Sequence, residues 1–323
     1  MNQQISTAVF AIPPFVHLLD FGGPAQVFYE ALDEGAALEL KYVSLHKGEQ
    51  MSTSSCGVEF TNLIDYNNIS LKEGDIIFVP GLDFKLIRDD IFLESIGGFL
   101  EWMVYQHGNG ATICSICTGA FLLAESGLLD GRECTTHWKY LTQFQKRYQR
   151  IRMVANRLFV ESDNIFTSAG VASGIDLALY ILEKRYGSLF ASKIAREIVV
   201  YLRREGNDPQ LSIFLKYRNH LEDRVHIVQE WLIHHFNEKF TIERLAEKVN
   251  TSPRHLTRLF KETTGVTVSQ YVEKLRIEHA IQLLKENNTV EMIASACGFQ
   301  SANQLRHLFR KYTGAIPSDH RMS

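Results

Sequence analysis

The chain lacks the opening of a secreted or membrane-anchored protein. MNQQISTAVFAIPPF carries no basic segment, and its short apolar run stops at Pro13-Pro14, so neither a signal peptide nor a membrane anchor is expected here, and a cytoplasmic address is the expectation. Cysteine is scarce and unpaired in pattern. Cys56, Cys114, Cys117, Cys134 and Cys297 form an odd set with one isolated CxxC, which makes neither a disulfide framework nor a zinc ligand set. Reduced thiols are expected, with no metal and no cofactor. An excess of positive charge is missing too: the net formal charge is −3, which would argue against a nucleic-acid partner if it were spread evenly.

The charge is not spread evenly. From Asp223 onward 14 Lys and Arg stand against 11 Asp and Glu, whereas 20 stand against 26 before it. This is the asymmetry expected when one module alone meets phosphates. At 323 residues, with 45% hydrophobic and 22% charged side chains, the chain suits two or three globular domains.

The front segment alternates short apolar runs with helical patterns, the signature of a βαβ sheet with helices on both faces. Strands are expected at Thr7–Ile12, Leu40–Leu45, Asp75–Val79, Ala111–Ile116 and Ile165–Ser168. Helices are expected near Gly23–Leu32, Phe92–His107, Thr118–Ser126, Gly174–Tyr186 and Phe190–Arg203. The segment after Arg204 opens on Glu-Gly-Asn-Asp-Pro and loses its period. The domains are therefore placed at 1–204 and 223–323, with a linker at 205–222. Beyond Asp223 every periodic segment is helical, as in Val225, Val228, Trp231, Leu232 and Phe236.

The C-terminal part contains a repeat. SPRHLTRLFKETTG (Ser252–Gly265) aligns without a gap on SANQLRHLFRKYTG (Ser301–Gly314) at an offset of 49 residues. Ser252 and Ser301 are placed to cap a helix, Pro253 suits a first helical position, and Gly265 and Gly314 supply stops. A shorter helix precedes each copy, Ile242–Lys248 after Thr241 and Val290–Cys297 after Thr289. Helix, tight turn and helix make a helix-turn-helix motif, here twice. Val268–Lys285 supplies a spacer helix between them. Two recognition helices held this way suit successive major grooves of a duplex. The predicted DNA-contacting residues are Arg254, Thr257 and Arg258 in the first helix and Ala302, Asn303 and Arg306 in the second. Arginine bonds a guanine edge and asparagine an adenine edge in bidentate fashion, while phosphate contact is the alternative for each arginine.

Phe240–Arg321 resembles the DNA-binding domain of the AraC/XylS family of bacterial regulators. The resemblance is carried by GFQSANQLRHLFRKYTGAIPSDHR (Gly298–Arg321), with its Gly-Phe turn, Phe-Arg-Lys run and Thr-Gly…Pro ending.

In the front domain, ATICSICTGAFLLAESGLLDG (Ala111–Gly131) puts Cys117 between a strand ending at Ile116 and a helix beginning at Thr118. This is the outline of a nucleophile elbow. A helix N-terminus favours the thiolate of such a cysteine. Pro80-Gly81-Leu82 follows another strand to the same sheet edge, where its amides could form half of an oxyanion hole. The front domain, Thr7 to about Arg203, resembles the PfpI-like branch of the class I glutamine-amidotransferase superfamily, a flavodoxin-like, doubly wound α/β fold. Within that branch it is similar to isonitrile hydratases and to the GlxA-type domains fused to AraC-type regulators. The matching residues are Leu19-Asp20-Phe21-Gly22-Gly23-Pro24, Cys117-Thr118-Gly119, Gly127-Leu128-Leu129-Asp130-Gly131, Thr135-Thr136-His137-Trp138 and Thr167-Ser168-Ala169-Gly170. The isonitrile-hydratase resemblance implies catalytic roles for Cys117, Thr118 and Asp20. Protease-type members follow the cysteine with histidine, but here Thr118 stands there, and His137 is the candidate substitute.

The expected function is a transcriptional regulator that binds promoter DNA and is controlled by a small metabolite held by Asp20, Gly81, Leu82, Cys117, Thr118 and His137. The alternative is an amidase or isonitrile hydratase with a DNA-binding tail. A homodimer is the expected assembly, RNA polymerase stands among the partners open to it, and no membrane is involved.

Overall fold

The computed structural model describes residues 5–155, 157–200, 217, 220, 222–284 and 288–317. The chain divides into two compact units, Met1–Gln210 and Leu211–Ser323. The expected linker, 205–222, lies outside the described residues except for 217, 220 and 222.

The first unit contains strands β1 (Ser6–Ile12), β2 (Leu38–Ser44), β3 (Met51–Thr53), β4 (Glu59–Thr61), β5 (Ile76–Val79), β6 (Thr112–Ile116), β7 (Glu133–Cys134), β8 (Arg152–Met153), β9 (Phe159–Ser162) and β10 (Ile165–Ser168). Six of them form one sheet in the order β2-β1-β5-β6-β10-β9. All its pairings are parallel except β9 with β10. A parallel sheet needs cover on both faces, so its strands read as unbroken apolar runs. Along β1 the side chains alternate accordingly. Val9 and Ala11 join a core with Phe99, Met103 and Phe121, whereas Ala8, Phe10 and Ile12 join a second core with Phe28, Leu177 and Ile194. This is the flavodoxin-like α/β fold.

Its helices are α1 (Leu18–Asp33), α2 (Phe84–Ile87), α3 (Asp90–Ser95), α4 (Gly97–Gly108), α5 (Gly119–Glu125), α6 (Leu141–Arg147), α7 (Ala172–Tyr186) and α8 (Ser188–Glu197). Three differ materially from expectation. The helix expected over Phe92–His107 is two helices that break at Ile96. The last helix stops at Glu197 rather than Arg203, and 201–203 lie outside the described residues. Most important for the site, α1 begins at Leu18, five residues before Gly23. Gly22-Gly23-Pro24 is not a helix start. Pro24 lies inside α1, and a Cβ on Gly23 would come 2.8 Å from Ile175 Cγ1 of α7. Across the contact a Cβ on Gly174 would come 3.3 Å from Pro24 Cγ. The glycines are a notch that lets two helices approach closely, and Asp20 sits in the first turn of α1 rather than ahead of it.

The second unit is helical throughout its described residues: α9 (Asp223–His234), α10 (Ile242–Lys248), α11 (Pro253–Thr264), α12 (Val268–Leu284), α13 (Val290–Ala296) and α14 (Ala302–Thr313). Four helix starts are capped by a side-chain oxygen that accepts an otherwise orphaned amide. Thr241 accepts from Arg244 N–H at 3.3 Å, and Ser252 from His255, Thr289 from Met292 and Ser301 from Gln304, each at 3.2 Å. Gly265 (φ +75°) and Gly314 (φ +78°) close α11 and α14 in the left-handed conformation. Among the described residues, no helix is long and apolar enough to cross a membrane.

Candidate functional site

Four segments of the first unit converge where β6 turns into α5. Cys117 makes that turn with φ +57°, a left-handed conformation unusual for a residue with a side chain. Its N–H donates to Ser168 O (3.0 Å) at the end of β10, and its carbonyl accepts from Thr136 Oγ1 (2.7 Å). The sharp entry to α5 requires glycine at 119, because a Cβ there would lie 2.1 Å from Val79 O. Two more glycines press backbone against the cysteine. A Cβ on Gly170 (φ +112°) would stand 2.9 Å from Cys117 Sγ, and one on Gly81 would stand 2.4 Å from Asp20 Oδ2.

Asp20 is fully buried. Its Oδ1 accepts the Val171 N–H at 2.6 Å, and its Oδ2 lies 3.2 Å from His17 Nδ1. Val171 leads into α7 at φ +43°, so the carboxylate holds a strained residue 151 positions away in sequence. Cys117 is 4% exposed. Burial, then the Asp20 carboxylate beside it, pushes the thiol well above its ordinary range. This corrects the expectation of a thiolate favoured by a helix dipole. Helix α5 is only seven residues long, and desolvation next to a carboxylate outweighs its N-terminus.

Thr118 is committed to the scaffold. Its hydroxyl donates to Leu82 O (2.9 Å) and accepts from Leu82 N–H (3.0 Å), and the Leu82 side chain belongs to the core. The Leu82 amide is thus spent on Thr118, against the expectation that it serves an oxyanion hole. Gly81 lines the site through its backbone, and its carbonyl accepts the His17 N–H (2.8 Å). His137 is half-buried. Its Nδ1 accepts Lys139 N–H at 3.3 Å, and its ring sits beside Trp138 and Tyr140. Burial lowers its pKa, partly opposed by Asp20, while Lys139 and His17 lower it further, which leaves the ring neutral at neutral pH. Among the described residues, no hydrogen bond joins His137 to Cys117; the ring's contacts run to Lys139, Trp138 and Tyr140.

Sequence reading missed His17 and Val171, and it named Gly170 only as one of the residues that carry the family resemblance, not as part of the site. The three-residue spacing of His17 and Asp20 is that of neighbours on one helix turn, but an α1 that starts at Gly23 hides it. Exposed apolar side chains adjoin each polar group: Phe15 and Leu19 flank His17 and Asp20, Trp138 follows His137, and Val171 follows Gly170. One donor of each of His17, Asp20 and Cys117 lies within 4.8 Å of the others. Those three residue types suit a transition metal, yet the Val171 amide and the His17 ring already satisfy the carboxylate, and hydrogen bonding accounts for the grouping.

In the second unit the repeat carries over into exposure. Arg254, Thr257 and Arg258 are exposed on α11, and Asn303 and Arg306 on α14, while Ala302 is half-buried at the first position of its helix. Thr257 Oγ1 donates to Pro253 O (2.9 Å). Arg306 donates to Asn303 Oδ1 (3.0 Å) and pairs with Glu291 (3.4 Å). The 49-residue offset maps Arg254, Thr257 and Arg258 onto Asn303, Arg306 and His307. His307 is exposed and was overlooked although the repeat itself points to it.

Residues 6–184 match the DJ-1/PfpI family, and residues 245–323 match a helix-turn-helix domain. The chain is 31% identical over 253 residues to the HTH-type transcriptional regulator CdhR of Pseudomonas aeruginosa, covering 78% of this chain and 73% of that one. It is 32% identical over 222 residues to the HTH-type transcriptional regulator GbdR of the same species, covering 67% of this chain and 59% of GbdR. Over 212 residues it is 27% identical to the HTH-type transcriptional regulator GlxA of Rhizobium meliloti, 64% of this chain and 65% of GlxA. In fold, the chain is similar to a putative transcriptional regulator protein from Vibrio parahaemolyticus (TM-score 0.52, 16% identity, 60% of this chain and all of that one). It is likewise similar to Drosophila melanogaster DJ-1beta (TM-score 0.50, 19% identity, 62% of this chain and all of that one).

Proposed function

The chain belongs to the DJ-1/PfpI family and carries an AraC-type helix-turn-helix domain, and from that premise we propose that it is a transcriptional regulator whose DNA binding answers to a small-molecule effector held beside Asp20 and Cys117. The observation that carries the receptor reading is the buried thiol. A nucleophile must reach its substrate as thiolate, whereas Cys117 is enclosed by Gly81 and Gly170 and kept protonated next to a carboxylate. A fold that keeps an elbow without an activated sulfur serves better to recognise than to react.

The effector is held by hydrogen bonds from His17 and His137 and by the exposed apolar side chains of Leu19, Trp138 and Val171 near them in sequence. Arg254, Thr257, Arg258, Asn303, Arg306 and His307 face the duplex, with Ala302 in contact by position. The protein acts as a homodimer on promoter DNA, with RNA polymerase as a downstream partner.

The elbow conformation of Cys117 favours the competing reading, an amidase or isonitrile hydratase, and one experiment separates the two. Metabolites that raise the melting temperature of the full chain are tested for their effect on promoter binding with wild type and Cys117→Ala. Metabolite control that survives the substitution supports the receptor. Turnover of an amide or isonitrile by the wild type, abolished in the variant, overturns it.

A further inference from the structure

We infer that a clasp centred on Arg276 locks the two helix-turn-helix motifs into one register, so that the chain reads two DNA segments only at one spacing. The second unit has two separate cores. One gathers α9, α10, α11 and the start of α12 as far as Leu275, and the other runs from Ile277 through α13 and α14. Arg276 therefore stands where one core gives way to the next, and a single helix crosses that point.

Segment 236–238 links α9 to α10 and belongs to the first motif. Arg276 Nε donates to Phe236 O (2.7 Å) and its Nη2 to Glu238 O (3.1 Å). The guanidinium lies 6.0 Å from the ring centroid of Phe299, a buried residue of the second core. From the other side, Gly298 brings its backbone so close that a Cβ would fall 2.2 Å from Asn237 O. The spacer helix and the turn of the second motif thus grip one loop of the first. A second tie runs from α12 to α14, where Glu273 Oε2 accepts from Tyr312 Oη (2.6 Å) and Lys311 Nζ (3.0 Å).

The consequence follows from effective concentration. A rigidly held second reader gains most when the DNA spacing matches, and loses nearly all of that gain when it does not. A loosened pair gains less at the right spacing and tolerates others. One inserted base pair turns the second segment by about 35° and moves it about 3.4 Å along the helix axis, which a rigid pair cannot follow.

The inference rests on the DNA-reading function proposed above, and its test separates the two. The full wild-type chain selects duplexes from a randomised pool, and binding is measured on the selected duplex, on the same duplex with one base pair inserted between the two protected segments, and on each segment alone. The insertion is expected to weaken wild type by about thirtyfold. Arg276→Met keeps the stem packing and removes both donors. It is expected to bind the selected duplex about tenfold more weakly, to lose only about threefold on insertion, and to bind single segments as wild type does. Gly298→Ala forces the clasp open from the other side, with the same pattern expected. A wild type that selects no bipartite DNA fails the DNA-reading function. A wild type that tolerates insertion overturns the clasp alone, as do variants that keep the thirtyfold penalty or lose single-segment binding in the same proportion.

Discussion

Replacing Asp20 separates the work of its charge from that of its geometry. In Asp20→Ala the Val171 N–H loses the acceptor that stood 2.6 Å away, and the His17 ring loses its partner at 3.2 Å. A hydrogen bond to a charged group contributes about 1.5–3 kcal/mol, and two such bonds end on this carboxylate. Val171 at φ +43° holds a conformation that costs about 1–3 kcal/mol, and it regains part of this when released. The net loss is about 3 kcal/mol, which for a unit of this size lowers its melting temperature by about 6–12 °C. Asp20→Asn keeps an oxygen for the Val171 amide and loses only the charge, so about 1 kcal/mol and about 2–4 °C are expected. Calorimetry of the full chain resolves the transition of the first unit, and amide exchange at 171–174 reports whether the start of α7 has come loose. Equal effects of Ala and Asn, or a stabilised Ala variant with unchanged exchange, would refute the claim that the carboxylate pins Val171.

Alkylation by iodoacetamide at pH 7.5, followed by peptide mass spectrometry, is expected to label exposed Cys56 well before Cys117, and Asp20→Asn should speed labelling at 117; early labelling of Cys117 in wild type would contradict a protonated, enclosed thiol. Cys117 and Cys134 are both raised above the ordinary thiol range, the latter to about 12. The folded chain therefore keeps protons that the unfolded chain gives up above about pH 8.5. Their contribution is complete below that pH and declines as pH rises through the folded values, so melting temperature should fall from pH 8.5 to 10, less steeply in Cys134→Ser. Ser252→Ala and Ser301→Ala each leave one helix-start amide without its acceptor and should cost about 1 kcal/mol of second-unit stability; no loss on thermal denaturation would show that solvent caps these helices equally well. His307→Ala should weaken binding to the selected duplex by about 1–3 kcal/mol if the imidazole meets a base edge, and an equal loss on random DNA would reassign it to the backbone.

The second unit was legible almost residue by residue because its signals are local. A capping hydroxyl, a proline at the first turn and a terminal glycine act within four positions, and Thr241, Ser252, Thr289, Ser301, Gly265 and Gly314 take those places. The parallel strands were legible too, since burial on both faces leaves unbroken apolar runs. The short pairs β3–β4 and β7–β8 were not, because strands of two or three residues carry no period. Strand β9, polar on one side, gave no apolar run either. At the site, Cys117 announced itself through the strand-to-helix turn. Gly23 misled because a glycine beside a proline reads as a breaker, whereas its cause is Ile175 on another helix. That contact depends on chain 152 positions away, and no local pattern encodes it. The same holds for the fate of the Cys117 proton, which is set by Asp20 and by enclosure rather than by the neighbours of Cys117 in sequence.

The bond between Asp20 and Val171 also bears on the order in which the protein is made. Synthesis runs from the N-terminus and domains fold as units, so the carboxylate emerges about 150 residues before the amide it holds. Until Val171 has left the ribosome, the Asp20 carboxylate lacks the amide that it holds at the start of α7. Ser252, which opens the first DNA-reading helix, is made some eighty residues later. The first unit can therefore close its Asp20–Val171 bond on a nascent chain whose first DNA-reading helix has not yet been made.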